Sequence, residues 1–208
     1  MFERPHHRRV AEALAMLDAD LLAENHCLFG GGTAIALRYG EYRESVDIDF
    51  LVSDIDGYRQ LRQLLTGEQG LSALARKGAK IQQTGELRAD QYGIRSMVRV
   101  GDVDIKFEIV LEARIELDVP GEQDRIGDIA ALTALDMAAS KLLANSDRWA
   151  DDSDLAKAVN ALLTRHGRMD RCMAVLQMTP AVTPALLRQR IKALLPRVPS
   201  ARGKAANL

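Results

Sequence analysis

A run of three glycines and, after a short polar loop, two aspartates one residue apart constrain the fold more than any other feature of the chain. The aspartates lie in the segment Val-Asp-Ile-Asp-Phe, whose alternation of apolar and polar residues predicts a strand. Successive side chains of a strand point to opposite faces, so Asp47 and Asp49 are expected on one face. Val46, Ile48 and Phe50 are expected on the other face, against a core.

The two features predict complementary chemistry. Neighbouring carboxylates repel each other unless a cation lies between them, and divalent ions such as Mg²⁺ or Mn²⁺ take oxygen ligands of this kind. Glycines in front of a helix leave backbone N–H groups open to phosphate oxygens, which makes Gly31 and Gly32 candidates for phosphate binding. Taken alone, the glycines fit a simple turn and the alternating acids fit a solvent-facing edge strand. Together they predict a phosphate-binding turn that faces a metal-binding carboxylate pair.

A polar loop joins the glycines to the strand and contains Arg43 and Ser45. Arg43 is expected to contact a phosphate or to pair with an acid of the site, and a surface arginine also fits the pattern. Thr33 follows the glycines at the start of a predicted helix, and Thr33 or Gly32 is expected near its cap. Arg43 is thus a candidate for charge neutralisation at a bound phosphate.

Residues 103–111 predict a further strand, with apolar side chains on one face and Asp104, Lys106 and Glu108 on the other. If this strand lies next to the strand with the aspartate pair, one of its acids joins the same cluster. Glu108 is the preferred third carboxylate, because Asp104 lies nearer the preceding turn and is more accessible to water.

The chain changes character near residue 125. Residues 1–125 mix predicted strands with helices, and the first helix is predicted over residues 5–24. Residues 126–208 have a helical pattern. Asp128 is predicted to cap a helix that runs to about residue 145. We therefore expect an α+β fold with an α/β core over residues 1–125 and a helical domain over residues 126–208. Three further helices are predicted to end near residues 163, 177 and 195.

Composition excludes several other classes of protein. The formal net charge of −1 gives no overall attraction to nucleic acid or membrane. Cys27 and Cys172 lack metal-ligand spacing, and the four histidines form no zinc motif. No apolar run approaches the roughly 18 residues that a membrane span needs, and the start lacks the apolar core of a secretory signal. A cytoplasmic protein with reduced thiols is expected.

One ordered set of residues resembles the AbiEii/AbiGii-type nucleotidyltransferase toxins of the DNA polymerase beta-like superfamily. The resemblance implies a nucleotidyltransferase core with a mixed sheet, followed by a C-terminal helical bundle. It also implies a toxin of a toxin–antitoxin system. The residues that carry it are Gly31-Gly32-Thr33, Arg43, Ser45, Asp47-Ile-Asp49, Lys106-Phe-Glu108, Lys141 and Arg148…Asp151.

The resemblance also assigns roles to individual residues. Glu108 stands where the superfamily usually has aspartate, and Ala150 stands where these enzymes often have a basic residue. Both departures leave open a module that binds nucleotide without turnover. The implied metal ligands are Asp47, Asp49 and Glu108; the implied nucleotide-binding residues are Gly31, Gly32, Thr33, Arg43, Ser45 and Lys141; the implied catalytic residues are Asp47, Asp49, Glu108, Lys141 and Asp151.

The expected activity is transfer of a nucleoside monophosphate from a nucleoside triphosphate to a hydroxyl acceptor, with Mg²⁺ or Mn²⁺ as cofactor. The expected partners are the triphosphate, an RNA such as tRNA and a cognate antitoxin protein, with no membrane. The alternatives are an inactive nucleotide- or partner-binding module and a transferase that modifies a protein or a small-molecule hydroxyl. The base of the triphosphate and the acceptor are not fixed by the residues.

Overall fold

The computed structural model describes residues 2–41 and 43–148. The chain forms two compact units, Met1–Thr133 and Ala134–Leu208. The described part of the second unit is helix α5, Ala134–Arg148. The helices predicted to end near residues 163, 177 and 195 lie outside the described residues. The division of the chain at residue 125 stays a prediction.

The first unit is built on a six-stranded mixed sheet with the strand order β1-β2-β6-β5-β3, and β4 pairs with β5. The β2–β6 pair is parallel and the other pairs are antiparallel. The predicted α+β class is therefore confirmed. The strands are β1 Leu28–Gly30, β2 Ile48–Val52, β3 Gln82–Gln83, β4 Arg88–Ala89, β5 Gly93–Val100 and β6 Val103–Leu111.

One face of the sheet carries the core. Phe29, Phe50 and Phe107 form a row across β1, β2 and β6, with neighbouring ring centroids 5.5 and 5.6 Å apart. Ile48 is fully buried beside them, as predicted. The prediction that Val46 faces the core is wrong, because Val46 is 45% exposed. The strand begins only at Ile48, so the alternation of faces does not extend back to Val46.

The N-terminal segment forms two helices, α1 Pro5–Met16 and α2 Ala19–Glu24. The prediction of one continuous helix over residues 5–24 is wrong at its middle. Leu17 has an extended backbone and forms a β-bridge with Ala75. Asp18 then accepts a hydrogen bond from the Leu21 amide at 3.0 Å and caps α2. A tertiary strand contact and a local cap together end the first helix.

Two further helices pack with the sheet. Helix α3, Gly31–Arg38, starts directly after β1, so the glycines form its first turn. Helix α4, Ile55–Leu65, follows β2, and Asp54 caps it by accepting hydrogen bonds from the amides of Asp56 and Gly57. Among the described residues, no helix is long and apolar enough to cross a membrane.

The segment before α5 forms a hairpin, β7 Arg125–Ile126 and β8 Ile129–Ala130. The prediction that Asp128 caps a helix is therefore wrong. Gly127 has a φ of 61°, which suits a tight turn between two strands and is rare for other residues. The next residues run along β1, where the Leu132 amide donates a hydrogen bond to the Phe29 carbonyl at 2.9 Å. Strand pairing thus overrides the helical pattern of the sequence.

Candidate functional site

A row of residues crosses four strands and brings the predicted carboxylates together. Gly30 of β1 pairs with Asp49 of β2, Asp49 pairs with Glu108 of β6, and Glu108 pairs with Arg95 of β5. Directly paired residues of neighbouring strands share one face of a sheet. Asp49, Glu108 and Arg95 therefore share the face opposite the core. Lys106, two residues before Glu108, lies on the same face.

The glycine turn lies against the Asp49 side chain. Gly31 has a φ of 67°, a conformation that favours glycine. A Cβ atom added to Gly31 would overlap the Asp49 carboxylate and lie 2.7 Å from the Asp49 Cβ atom. The absence of a side chain at this position is therefore what allows the carboxylate to approach the backbone at the start of α3.

The polar loop lies against the same turn. A Cβ atom at Gly32 would overlap the Arg43 guanidinium and lie 3.2 Å from Ser45 Oγ. The Thr33 hydroxyl, which is fully buried, donates a hydrogen bond to Ser45 Oγ at 3.0 Å. Arg43 itself is exposed, and its guanidinium donates to the Glu44 carbonyl at 3.2 Å. The structure thus brings together the predicted nucleotide-binding residues of the first unit.

Asp47 and Asp49 are both half-buried, one just before β2 and one within it. Their charges act on the same neighbour. The Glu108 carboxylate, which accepts a hydrogen bond from Lys106 Nζ at 2.5 Å, raises the pKa of Lys106, and Asp47 and Asp49 add to this effect. Lys106 therefore stays protonated as a cation among three carboxylates.

Both oxygens of Glu108 have cationic partners. Arg95 Nε donates to Glu108 Oε1 at 2.8 Å, and Lys106 Nζ donates to Oε2. Across the part of the chain that the structure describes, no group of three or more acidic, histidine or cysteine side chains has the arrangement of a metal site. The role of Glu108 as third metal ligand stays a prediction, and Glu108 is an ion-pair partner in this structure.

The alternative third carboxylate, Asp104, is held elsewhere on β6. Its two oxygens accept hydrogen bonds from Arg99 Nε and Nη2, both at 2.7 Å, and the Thr84 hydroxyl donates to it at 2.9 Å. Asp104 pairs with Arg99 across the β5–β6 ladder, beyond the part of β6 that pairs with β2. Of the two acids, only Glu108 is a register partner of Asp49.

The residues of this site fit a divalent cation in part. Asp47 and Asp49 offer hard carboxylate oxygens, the donor type that Mg²⁺ and Mn²⁺ prefer. Gly31 leaves the backbone open beside one of these carboxylates. Glu108 fits less well, because a metal would have to compete with Lys106 and Arg95 for its oxygens. A site based on the two aspartates is therefore consistent with the donor set.

Two predicted residues belong to the other part of the chain. Lys141 is exposed on α5, in the second compact unit. Asp151 lies outside the described residues. Their predicted roles, triphosphate binding for Lys141 and catalysis for both, stay predictions.

Sequence reasoning missed His7 and Glu41, two residues that hold the polar loop. His7 of α1 is fully buried, with Nδ1 2.7 Å from Glu41 Oε1. Its Nε2 accepts a hydrogen bond from the Ser45 amide at 3.1 Å. A signal was present, because His7 precedes Val10 and Leu14 by three and seven residues and so lies on the apolar face of the helix. A buried histidine needs partners for both nitrogens.

Glu41 also caps α1 from a distance. Its carboxylate accepts hydrogen bonds from the amides of Glu3 at 2.6 Å and Arg4 at 3.1 Å, at the N-terminus of the helix. The Glu3 amide, followed by the Arg4 amide and the His7 ring, lowers the pKa of Glu41. The carboxylate is therefore ionised where the helix dipole favours negative charge.

Comparison with known proteins adds family information. Residues 13–166 match the family model for the AbiEii nucleotidyl transferase toxin of a type IV toxin–antitoxin system. No curated protein sequence matches the chain.

Three solved structures are similar to the chain. A proposed nucleotidyltransferase from Helicobacter pylori is 18% identical, with 90% of this chain and 89% of that chain covered and a TM-score of 0.40. The Helicobacter pylori protein JHP933 is 17% identical, with coverage of 93% and 90% and a TM-score of 0.41. A proposed nucleotidyltransferase from Thermotoga maritima is 17% identical, with coverage of 77% and 96% and a TM-score of 0.39.

Proposed function

The chain belongs to the AbiEii family of nucleotidyltransferase toxins, and on this premise we propose that it transfers a nucleoside monophosphate from a nucleoside triphosphate to a hydroxyl group of an RNA such as tRNA. We further propose that Mg²⁺ or Mn²⁺ is its cofactor and that a cognate antitoxin protein is its partner. A cytoplasmic location, which the cysteine usage favours, is also part of the proposal.

One observation carries the proposal. The backbone of Gly31 lies directly against the Asp49 carboxylate, and Asp49 is the register partner of Glu108. Backbone N–H groups at the start of a helix favour phosphate oxygens, and adjacent carboxylates favour a cation. A triphosphate needs both of these at once, because it carries several negative charges that must be held and neutralised.

In the proposed reaction, the acceptor oxygen forms a bond to the α-phosphorus while the bond from that phosphorus to the bridging oxygen breaks, and pyrophosphate leaves. Gly31 and Gly32 hold the β- and γ-phosphates through backbone N–H groups, and Arg43 and Lys141 neutralise their charge. A carboxylate of the cluster accepts the hydroxyl proton. When bound by Asp47 and Asp49, the divalent cation supplies charge neutralisation at the α-phosphate and the leaving group. Asp151 is proposed to orient a basic residue of the site.

A second candidate function has a specific observation in its favour. Both oxygens of Glu108 are engaged by Arg95 and Lys106, which reduces their availability for a metal or a proton. A module that binds nucleotide or a partner without turnover would keep such a neutralised cluster. Transfer to a protein or a small-molecule hydroxyl is the remaining alternative, since no described residue identifies the acceptor.

The test is a transfer assay with each of the four nucleoside triphosphates, labelled at the α-phosphate, and total RNA, with Mg²⁺ or with a chelator. Wild type is expected to label RNA only in the presence of the cation, and Asp49→Asn is expected to lose ~10²- to 10³-fold in rate, as when an electrostatic catalytic group is removed. Asp102→Asn is the matched control, because Asp102 has a side chain 85% exposed at the β5–β6 turn. Triphosphate binding by calorimetry without transfer to RNA, protein or small molecules would favour the binding module instead.

A further inference from the structure

We infer that His7 is a positioning residue of the site, which holds the polar loop of residues 43–47 against the glycine turn through the backbone amide of Ser45. The consequence for activity rests on the proposed function. The contact between His7 and the Ser45 amide does not depend on the proposed function, because it can be measured without substrate.

The hydrogen bonds of His7 determine its tautomer. The Ser45 amide is a donor, so Nε2 of His7 must accept, at a distance of 3.1 Å. Nδ1 then carries the proton and donates to Glu41 Oε1 at 2.7 Å. Each nitrogen has one partner of the right kind, and the ring is fully buried. The neutral imidazole therefore links the two partners with a defined orientation.

Glu41 fixes the other end of this link. Its carboxylate holds two amides at the N-terminus of α1, from Glu3 and Arg4, as well as the ring of His7. Glu41 has a φ of 53° and follows Gly40, whose φ is 78°. This backbone conformation is unusual for glutamate. The three hydrogen bonds to the Glu41 side chain stabilise it. Glu41 therefore holds the His7 ring in the orientation in which Nε2 contacts the Ser45 amide.

Ser45 is the point at which this link meets the site. Its amide is held by His7, and its hydroxyl accepts a hydrogen bond from Thr33 in the first turn of α3. Arg43 and Asp47 lie two residues to either side, so the position of Ser45 constrains both. A second contact, from His6 Nε2 to the Val46 carbonyl at 3.1 Å, is exposed and therefore competes with water. His7 provides the buried contact of the pair.

Two amide variants separate the two nitrogens of the ring. His7→Gln places an acceptor near the position of Nε2 and can keep the bond to the Ser45 amide, while it loses the bond to Glu41. His7→Asn places a donor near Nδ1 and can keep the bond to Glu41, while it leaves the Ser45 amide without its partner. His26→Asn is the control, because His26 is exposed and its φ of 50° is well tolerated by asparagine.

The first measurement is amide hydrogen exchange. The Ser45 amide of wild type is expected to be protected relative to the exposed Glu44 amide, and His7→Asn is expected to remove this protection while His7→Gln keeps it. An unprotected Ser45 amide in wild type would overturn the inference, whether or not the variants fold.

The second measurement is steady-state transfer. His7→Asn is expected to lower kcat/KM for the triphosphate roughly 10- to 100-fold, as for a displaced positioning group, chiefly through KM. His7→Gln and His26→Asn are expected to remain within a few-fold of wild type. Equal losses in His7→Asn and His7→Gln, or wild-type kinetics in folded His7→Asn, would overturn the inference. Absence of transfer by wild type would instead contradict the proposed function, and hydrogen exchange would still decide the role of His7.

Discussion

The two sides of the site differ in what holds them. Asp49 lies within β2, between Gly30 and Glu108, and its neighbours Ile48 and Phe50 are fully buried on the other face. The 43–47 loop lies outside the described strands, and side-chain contacts to Ser45 from α1 and α3 hold it. Backbone pairing fixes one side, and a few side chains fix the other.

The difference implies different responses to substitution. On the strand side, replacement of a functional side chain should change the chemistry and leave the position of the backbone unchanged, because the hydrogen-bond ladder does not depend on the side chain. On the loop side, a single lost hydrogen bond should move the backbone and the groups it carries. The four predictions below test this contrast.

The largest effect is expected at the contact between Gly31, at the start of α3, and the side chain of Asp49 on β2. Gly31→Ala should lower the free energy of unfolding by about 3 kcal/mol and remove most of the activity, because the new Cβ atom overlaps the Asp49 carboxylate in a conformation that alanine disfavours. Urea unfolding and the transfer assay measure the two effects.

Gly101→Ala is the matched control for this change. Gly101 has a similar φ of 62° but no atom within 4 Å of an added Cβ. Gly101→Ala should lower the free energy of unfolding by only about 1 kcal/mol, because alanine disfavours this backbone conformation. Equal costs at the two glycines would show that the close approach of Gly31 and Asp49 is absent in solution.

A smaller effect is expected for the exposed cation of the loop. Arg43→Gln should raise the KM for the triphosphate about 10-fold with little change in stability, because it removes one charged donor beside the glycine turn. Arg59→Gln is the control, since Arg59 forms an exposed ion pair with Asp56 on α4. An unchanged KM for Arg43→Gln would remove Arg43 from the proposed binding site.

The contact between Thr33 and Ser45 should have a more modest effect. Thr33→Val keeps the shape of the side chain but loses the buried donor to Ser45 Oγ, so we expect a loss of about 1 kcal/mol in unfolding free energy. Transfer should slow by a few-fold, because the loop becomes less well positioned. Thr84→Val, which loses an exposed hydrogen bond to Asp104, should change neither the free energy of unfolding nor the rate of transfer. Indistinguishable behaviour of the two variants would argue against side-chain control of the loop.

The smallest effect at neutral pH is expected for Glu41. The amides of Glu3 and Arg4 and the His7 ring lower the pKa of Glu41 below its ordinary value. The stability that this carboxylate contributes is therefore fully present above the ordinary pKa of about 4.3 and is lost as the pH falls through the lowered value. Glu41→Gln should flatten the decrease in melting temperature over this acidic range. Glu44→Gln, at an exposed position three residues further along the chain, should keep the wild-type slope. Parallel curves for all three proteins would contradict the prediction.

The sequence predicted the strand side of the site better than the loop side. The alternation of β6 correctly placed Glu108 on the face opposite the buried Ile105 and Phe107. Glu108 is the acid of β6 that pairs with Asp49 in the β2–β6 register, and its choice over Asp104 as third metal ligand stays a prediction. The placement of Glu108 on this face uses only the two-residue period of a strand, which the chain carries in itself.

The errors have a common cause. The helix predicted over residues 5–24 breaks at Leu17, which pairs with Ala75. The helix predicted from Asp128 begins only at Ala134, because the preceding residues form a hairpin and a bridge to Phe29. In each case a distant segment offered backbone hydrogen bonds that local periodicity does not register.

The sequence by itself determined which residues alternate within β2 and β6, because the two-residue period of a strand is a property of neighbouring residues along the chain. Tertiary structure alone decided that His7 and Glu41 hold the loop and that Lys106 and Arg95 neutralise Glu108. Such partners are brought together by the packing of α1 and the pairing of β5 with β6, and a hydrogen bond between distant residues leaves no periodic pattern in the sequence.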